Sequence, residues 1–94
     1  MEMEKYLMIY EIVKDQNTLR ILGEEFVRNN KNKGIMVYKN KKYSLKGLFR
    51  LFDFKDYRLK IKMLLGKNCY NKSFMFSNCS LLLQFKCYNN IYIY

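Results

Sequence analysis

The sequence predicts an α+β fold: a small mixed sheet of two hairpins plus a further strand, with one or two short helices, and a shorter helix–strand unit after it. Three observations carry that expectation. Leu59, Ile61, Met63 and Leu65 alternate with Lys60, Lys62 and Leu64, the period-two pattern of a strand with one wet face. Runs rich in Ile, Val and Tyr at 6–13 and 33–45 are bounded by polar residues of the kind that turns use. Leu45, Leu48, Phe49 and Phe52 stand at i, i+3, i+4 and i+7, one helical stripe. Half of the 94 residues are apolar, enough for one modest core and too many for a chain disordered throughout.

Taken in order, residues 6–13 and 18–22 are expected to form the first antiparallel hairpin around the polar turn 14–17. A short helix should follow. Gly23 serves as its N-cap, Glu24 and Glu25 sit at the positive end of its dipole, and Asn29 and Asn30 end it. The second hairpin is expected from arms at 35–38 and 42–45 around 39–41, where Asn40 tolerates the positive φ that a tight turn needs. Ser44 would cap a second helix over 44–52, against which only Gly47 speaks. The alternating strand at 57–65 closes this unit, and Gly66, Lys67 and Asn68 place its boundary, giving units at 1–66 and 67–94.

The net charge is +10. Such a chain attracts nucleic acid, anionic membrane or acidic protein over long range. A plainer reading is available. The chain has no Ala, Pro, Trp or His and is crowded with Lys, Asn, Ile, Tyr and Phe, whose codons are AT-rich, so Lys becomes common wherever a surface tolerates it. Glu2 and Glu4 stand where a secretory signal needs positive charge, and Glu11 breaks the apolar run. The expected setting is therefore a reducing cytoplasm, with Cys69, Cys79 and Cys87 as free thiols and no membrane span.

Residues 71–85, NKSFMFSNCSLLLQF, have no counterpart in that unit. The stretch is too short and too polar at its middle to cross a membrane. It fits an ordinary C-terminal helix, with Phe74, Met75, Asn78, Leu81 and Leu82 at helical spacing, or a leucine-rich-repeat unit, a short helical turn followed by a short strand. Met75-Phe76, Cys79, Leu82 and Phe85 follow the spacing Met-Phe-x-x-Cys-x-x-Leu with a later apolar position, and in this the stretch resembles the repeat of BspA-type leucine-rich-repeat proteins. Residues 19–34, the hairpin after them and 58–65 are similar to the small N-terminal module of protist members of that family. Lys72 departs from the pattern, and KCYNNIYIY follows Phe85 where the family continues with a turn and another repeat. The resemblance implies a truncated member with a single leucine-rich-repeat-like helix–strand unit. It further implies that Met75, Phe76, Cys79, Leu82 and Phe85 pack and offer an exposed face to a protein partner or a second copy.

No reaction is legible. Without His the usual general base and the commonest metal ligand are missing, the three cysteines lack metal spacing, and four scattered glycines form no phosphate-cradling loop. Glu24 and Glu25 read as helix-dipole partners, Asp53 and Asp56 as loop residues, and the Asn-x-Ser triplets at 71–73 and 78–80 as chance in an Asn-rich chain. An enzyme, a cofactor and a metal are not expected. The leading expectation is a protein-interaction or repeat-capping module. Its rival is polyanion or single-stranded nucleic-acid binding. Most of the cations fall in 28–62, with Lys39, Lys41, Lys42, Arg58, Lys60 and Lys62 as candidate anion ligands and Tyr38, Tyr43, Phe49 and Tyr57 interleaved for stacking. Those same aromatics also suit core positions, and the lysines suit wet faces.

Overall fold

Glu2–Glu11 forms a long first strand, β1, whose Tyr6, Met8 and Tyr10 are buried while the residues between them stay half-buried. The computed structural model describes residues 2–13, 15–51, 57–69 and 72–92. Lys14 of the expected first turn, Phe52 of the expected stripe, Asp53, Lys55 and Asp56 beyond it and Asn71 of the first triplet lie outside the described residues. The remaining elements are β2 (Thr18–Arg20), α1 (Glu24–Asn30), β3 (Gly34–Tyr38), β4 (Lys41–Ser44), β5 (Leu48–Arg50), β6 (Arg58–Gly66), a 3-10 turn (Lys72–Phe74) and β7 (Leu82–Tyr92). The fold is α+β. Strands β4-β3-β6-β1-β7 make one sheet, and β2-β5 make a separate two-stranded ribbon.

Several expected elements are present. The helix runs from Glu24 to Asn30 with Gly23 as N-cap, and Glu24 and Glu25 occupy its first turn. Strand β6 buries Leu59, Ile61, Met63 and Leu65 and exposes Arg58, Lys60 and Lys62. Hairpin β3–β4 turns on Lys39 and Asn40, at φ 48° and 64°. Positive φ at both central residues is the geometry of a type I′ turn, whose twist matches that of the strands it joins.

Other expectations are corrected. Every strand pair described is antiparallel, so the sheet is not mixed. The first hairpin does not form. β1 pairs along one side with β6, from Met3↔Gly66 to Glu11↔Arg58, and along the other with β7, so neither side is left for 18–20. A strand buried on one face gains more from two long partners than from one of three residues. Nor is there a helix over 44–52. Leu45, Phe49 and Leu51 are buried while Leu48 is 50% exposed, a period of two in place of the helical stripe. Residues 48–50 pair with 18–20, and the Ile21 amide donates to the Gly47 carbonyl at 2.8 Å.

The buried side chains form one cluster that joins the sheet's inner face to Phe26 of α1, Leu19 of β2, Phe49 of β5 and Met75. Residues 72–92 belong to this assembly. The Gly23 amide donates to the Met75 carbonyl at 2.8 Å, Lys72 donates to Glu4, and β7 adds the last strand of the sheet, reaching Tyr92. No helix among the described residues is long and apolar enough to cross a membrane.

Candidate anion-binding groove

Tyr38 and Tyr43 lie on the same side of the hairpin as the buried Met36: Tyr43 stands opposite Met36, and Tyr38 is two residues nearer the turn. There the ribbon supplies Phe49, whose ring meets Tyr38 edge-on (5.3 Å between centroids, 81°) and Tyr43 likewise (6.1 Å, 70°). Edge-to-face packing of this kind fixes the orientation of the rings. Around these rings runs a groove of about 750 Å3 whose cations are Lys41, Lys46 and Arg50. The Lys46 ammonium lies 5.0 Å from the Tyr43 centroid and that of Lys39 lies 5.5 Å from Tyr38. No carboxylate lines the groove among the described residues.

Tyr38 is a shared wall. On its other side lies a second cleft of about 590 Å3, lined also by Lys39, Tyr57, Arg58 and Lys60. By contrast, the cleft beside α1, about 470 Å3, sets Glu24 among Arg20, Arg28 and Lys31, so its field is partly cancelled.

The six cations singled out from the sequence are thus divided among three places. Lys41 lies in the groove, and Lys39, Arg58 and Lys60 line the second cleft. Lys42 and Lys62 both stand opposite Val37 on the open outer face of the sheet. That row continues through Leu7 to Lys86, so Lys42, Val37, Lys62, Leu7 and Lys86 cross all five strands in register. Lys46, Arg50 and Lys86 were not singled out. The signal for Lys46 and Arg50 was their alternation with Leu45, Phe49 and Leu51, once that segment is read as extended.

The repeat-motif residues lie at the other flank. Met75 is buried in the core cluster and Leu82 packs half-buried against it. Phe76 is half-buried and meets the ring of Phe85 at 4.9 Å, while Phe85 itself remains 47% exposed and lies 6.3 Å from Tyr6. Cys79 is buried, and burial pushes its thiol up to about 11, which keeps it protonated and unreactive at neutral pH. Burial likewise raises Cys69, and it raises Tyr6 and Tyr10 far above the ordinary phenol range; the Tyr10 hydroxyl donates to the Ile21 carbonyl. All three cysteines are free thiols, and no metal-holding cluster of His, Cys, Asp or Glu occurs among the described residues.

In comparison with known proteins, no family model, no curated protein and no solved structure matches this chain.

Proposed function

We propose that this chain is a non-enzymatic binding module that holds a polyanion in the groove between hairpin β3–β4 and strand β5. One observation carries the reading: Lys41, Lys46 and Arg50 converge on a groove floored by three aromatic rings, with no carboxylate lining it among the described residues. A solvated lysine surface formed by composition alone has no reason to collect its cations around ring faces.

The test is an electrophoretic titration against inorganic polyphosphate at low and moderate salt. The triple variant Lys41→Glu, Lys46→Glu, Arg50→Glu should lose most of the affinity, and its salt slope should fall by about 2 for three lost contacts at roughly 0.7 each. A control of equal net charge, Arg28→Glu, Lys31→Glu, Lys67→Glu, should retain more. Equal losses from the two triples would leave only non-specific attraction by net charge and defeat the proposal.

A second reading rests on the opposite flank, where Phe74, Leu83 and Phe85 are exposed at or beside β7, the last strand of the sheet. Exposed apolar groups around an open strand suit association with a protein or a second copy, as the BspA-type resemblance implied. Light scattering decides it. Concentration-dependent association abolished by Phe85→Ser supports this reading, and a monomer at every concentration removes self-association from it.

A further inference from the structure

Resting on the polyanion reading, we infer that the ligand is single-stranded nucleic acid, threaded past Tyr38 from the groove into the second cleft. The two concavities share Tyr38 as a wall, so a chain that passes over this ring leaves one and enters the other. Cations accompany the whole path: Arg50, Lys46 and Lys41 on one side, then Lys39, Arg58 and Lys60 on the other.

Rings accompany it too, and this separates a nucleic acid from other polyanions. Tyr57 is 85% exposed, the most exposed of the large apolar side chains described, and it lines the second cleft with Arg58 and Lys60. Phosphate chains without bases gain nothing from a bare ring. Unpaired bases do, because every base has a face that stacks on an aromatic side chain while the cations follow the backbone. A duplex keeps its base faces inside its own stack and offers Tyr57 none.

Lys39 adds a second observation. It stands at φ 48° in the turn between the two clefts, a backbone conformation that Gly or Asn adopts at less cost than Lys. Its ammonium lies over the Tyr38 ring at the crest of the path. Strain kept at such a point fits a side chain retained for contact with a ligand.

The experiment measures fluorescence anisotropy of a labelled oligothymidylate of about twelve nucleotides, within the roughly 4–16 that one single-strand groove holds. Inorganic polyphosphate and a duplex of the same length compete. Tyr57→Ala should weaken oligothymidylate binding between about fivefold and a hundredfold, the range that one lost stacked base gives. Polyphosphate binding should stay within about twofold, because no backbone cation is lost. Tyr57→Phe should restore the oligothymidylate affinity, and circular dichroism should show both variants folded. The duplex should compete less well than the single strand. If Tyr57→Ala changes neither ligand, or both alike, the single-strand inference falls while the polyanion proposal stands on its groove triple. A duplex that competes as well as the single strand overturns the inference too. Failure of polyphosphate and oligothymidylate alike to bind overturns both.

Discussion

The two flanks of the sheet treat similar residues in opposite ways. At the β7 flank, residues 72–82 turn most of their large apolar side chains toward the core: Met75 and Cys79 are buried and Leu82 packs against the same cluster, while Phe74 stays exposed. At the hairpin flank, Tyr38 and Tyr43 stop half-buried around a groove and Tyr57 stands clear of the protein. The first flank resembled a binding motif and is largely occupied by the chain's own packing. The second resembled a set of core rings and wet lysines, and it holds the larger and more strongly charged concavity. Apolar residues advertise a surface only after the chain's own core has taken its share.

The largest expected effect tests the buried half of that contrast. Met75→Ala should destabilise the protein by about 2–4 kcal/mol, because a buried methionine leaves a cavity that its neighbours fill only in part. Phe85→Ala, at a half-exposed ring, should cost about 1 kcal/mol or less by the area it covers. Urea unfolding of the two variants checks the difference. Similar losses would mean that the β7 flank is not divided into packed and exposed parts.

Next in size is Gly23→Ala. A Cβ at this position would lie 2.1 Å from the Phe74 carbonyl oxygen and 3.2 Å from Ser77, while the Gly23 amide donates to Met75. The start of α1 and the 3-10 turn must then separate, at a cost of about 1–3 kcal/mol. Hydrogen exchange should show the loss of protection concentrated at the Gly23 amide and in α1, with hairpin β3–β4 little changed.

How much of this was legible follows from how local each signal is. Strand β6 was plain because Leu59, Ile61, Met63 and Leu65 admit no period but two. Residues 45–51 misled because Leu45 and Phe49 satisfy both periods, and the arbiter is a partner strand at 18–20 that no local pattern reveals. The first hairpin failed for the same reason: β1 prefers partners some fifty and eighty residues away, such as Ile61 and Phe85 for Met8. At the site, the cations and rings were visible as types, but their division among groove, second cleft and open face depends on strand order and residue parity. Lys86 was passed over because the strand expected there belonged to a unit of its own, and its place in the sheet is set by pairing with β1, far away in sequence.

A smaller effect of opposite sign belongs to the turn of the hairpin flank. Lys39→Gly should stabilise the protein by about 0.5–1 kcal/mol, since Gly holds φ 48° without the Cβ penalty. The same change removes one cation from the path, so the salt slope of nucleic-acid binding should fall by about 0.7. Gain in stability with loss of binding would separate the residue's two roles. A gain with unchanged binding would place Lys39 outside the ligand path.

The smallest effect concerns the charges that pin the β7 flank. Glu4 accepts hydrogen bonds from Lys72, from the Tyr6 hydroxyl at 3.2 Å and from the Cys87 thiol at 3.8 Å. The Lys72 ammonium holds its carboxyl below the ordinary value of 4.5, against a smaller opposing push from burial. A carboxyl depressed in the folded state lends stability that is complete above its ordinary value and disappears as pH falls through the folded one. Both side chains are partly open to water, so the contribution is about 0.5 kcal/mol. Glu4→Gln should therefore unfold at slightly lower urea than the parent at pH 7, and the two curves should converge as pH drops well below 4.5. Divergence that persists in acid would assign the attachment of residues 72–79 to packing around Met75 alone, with no part for the ion pair.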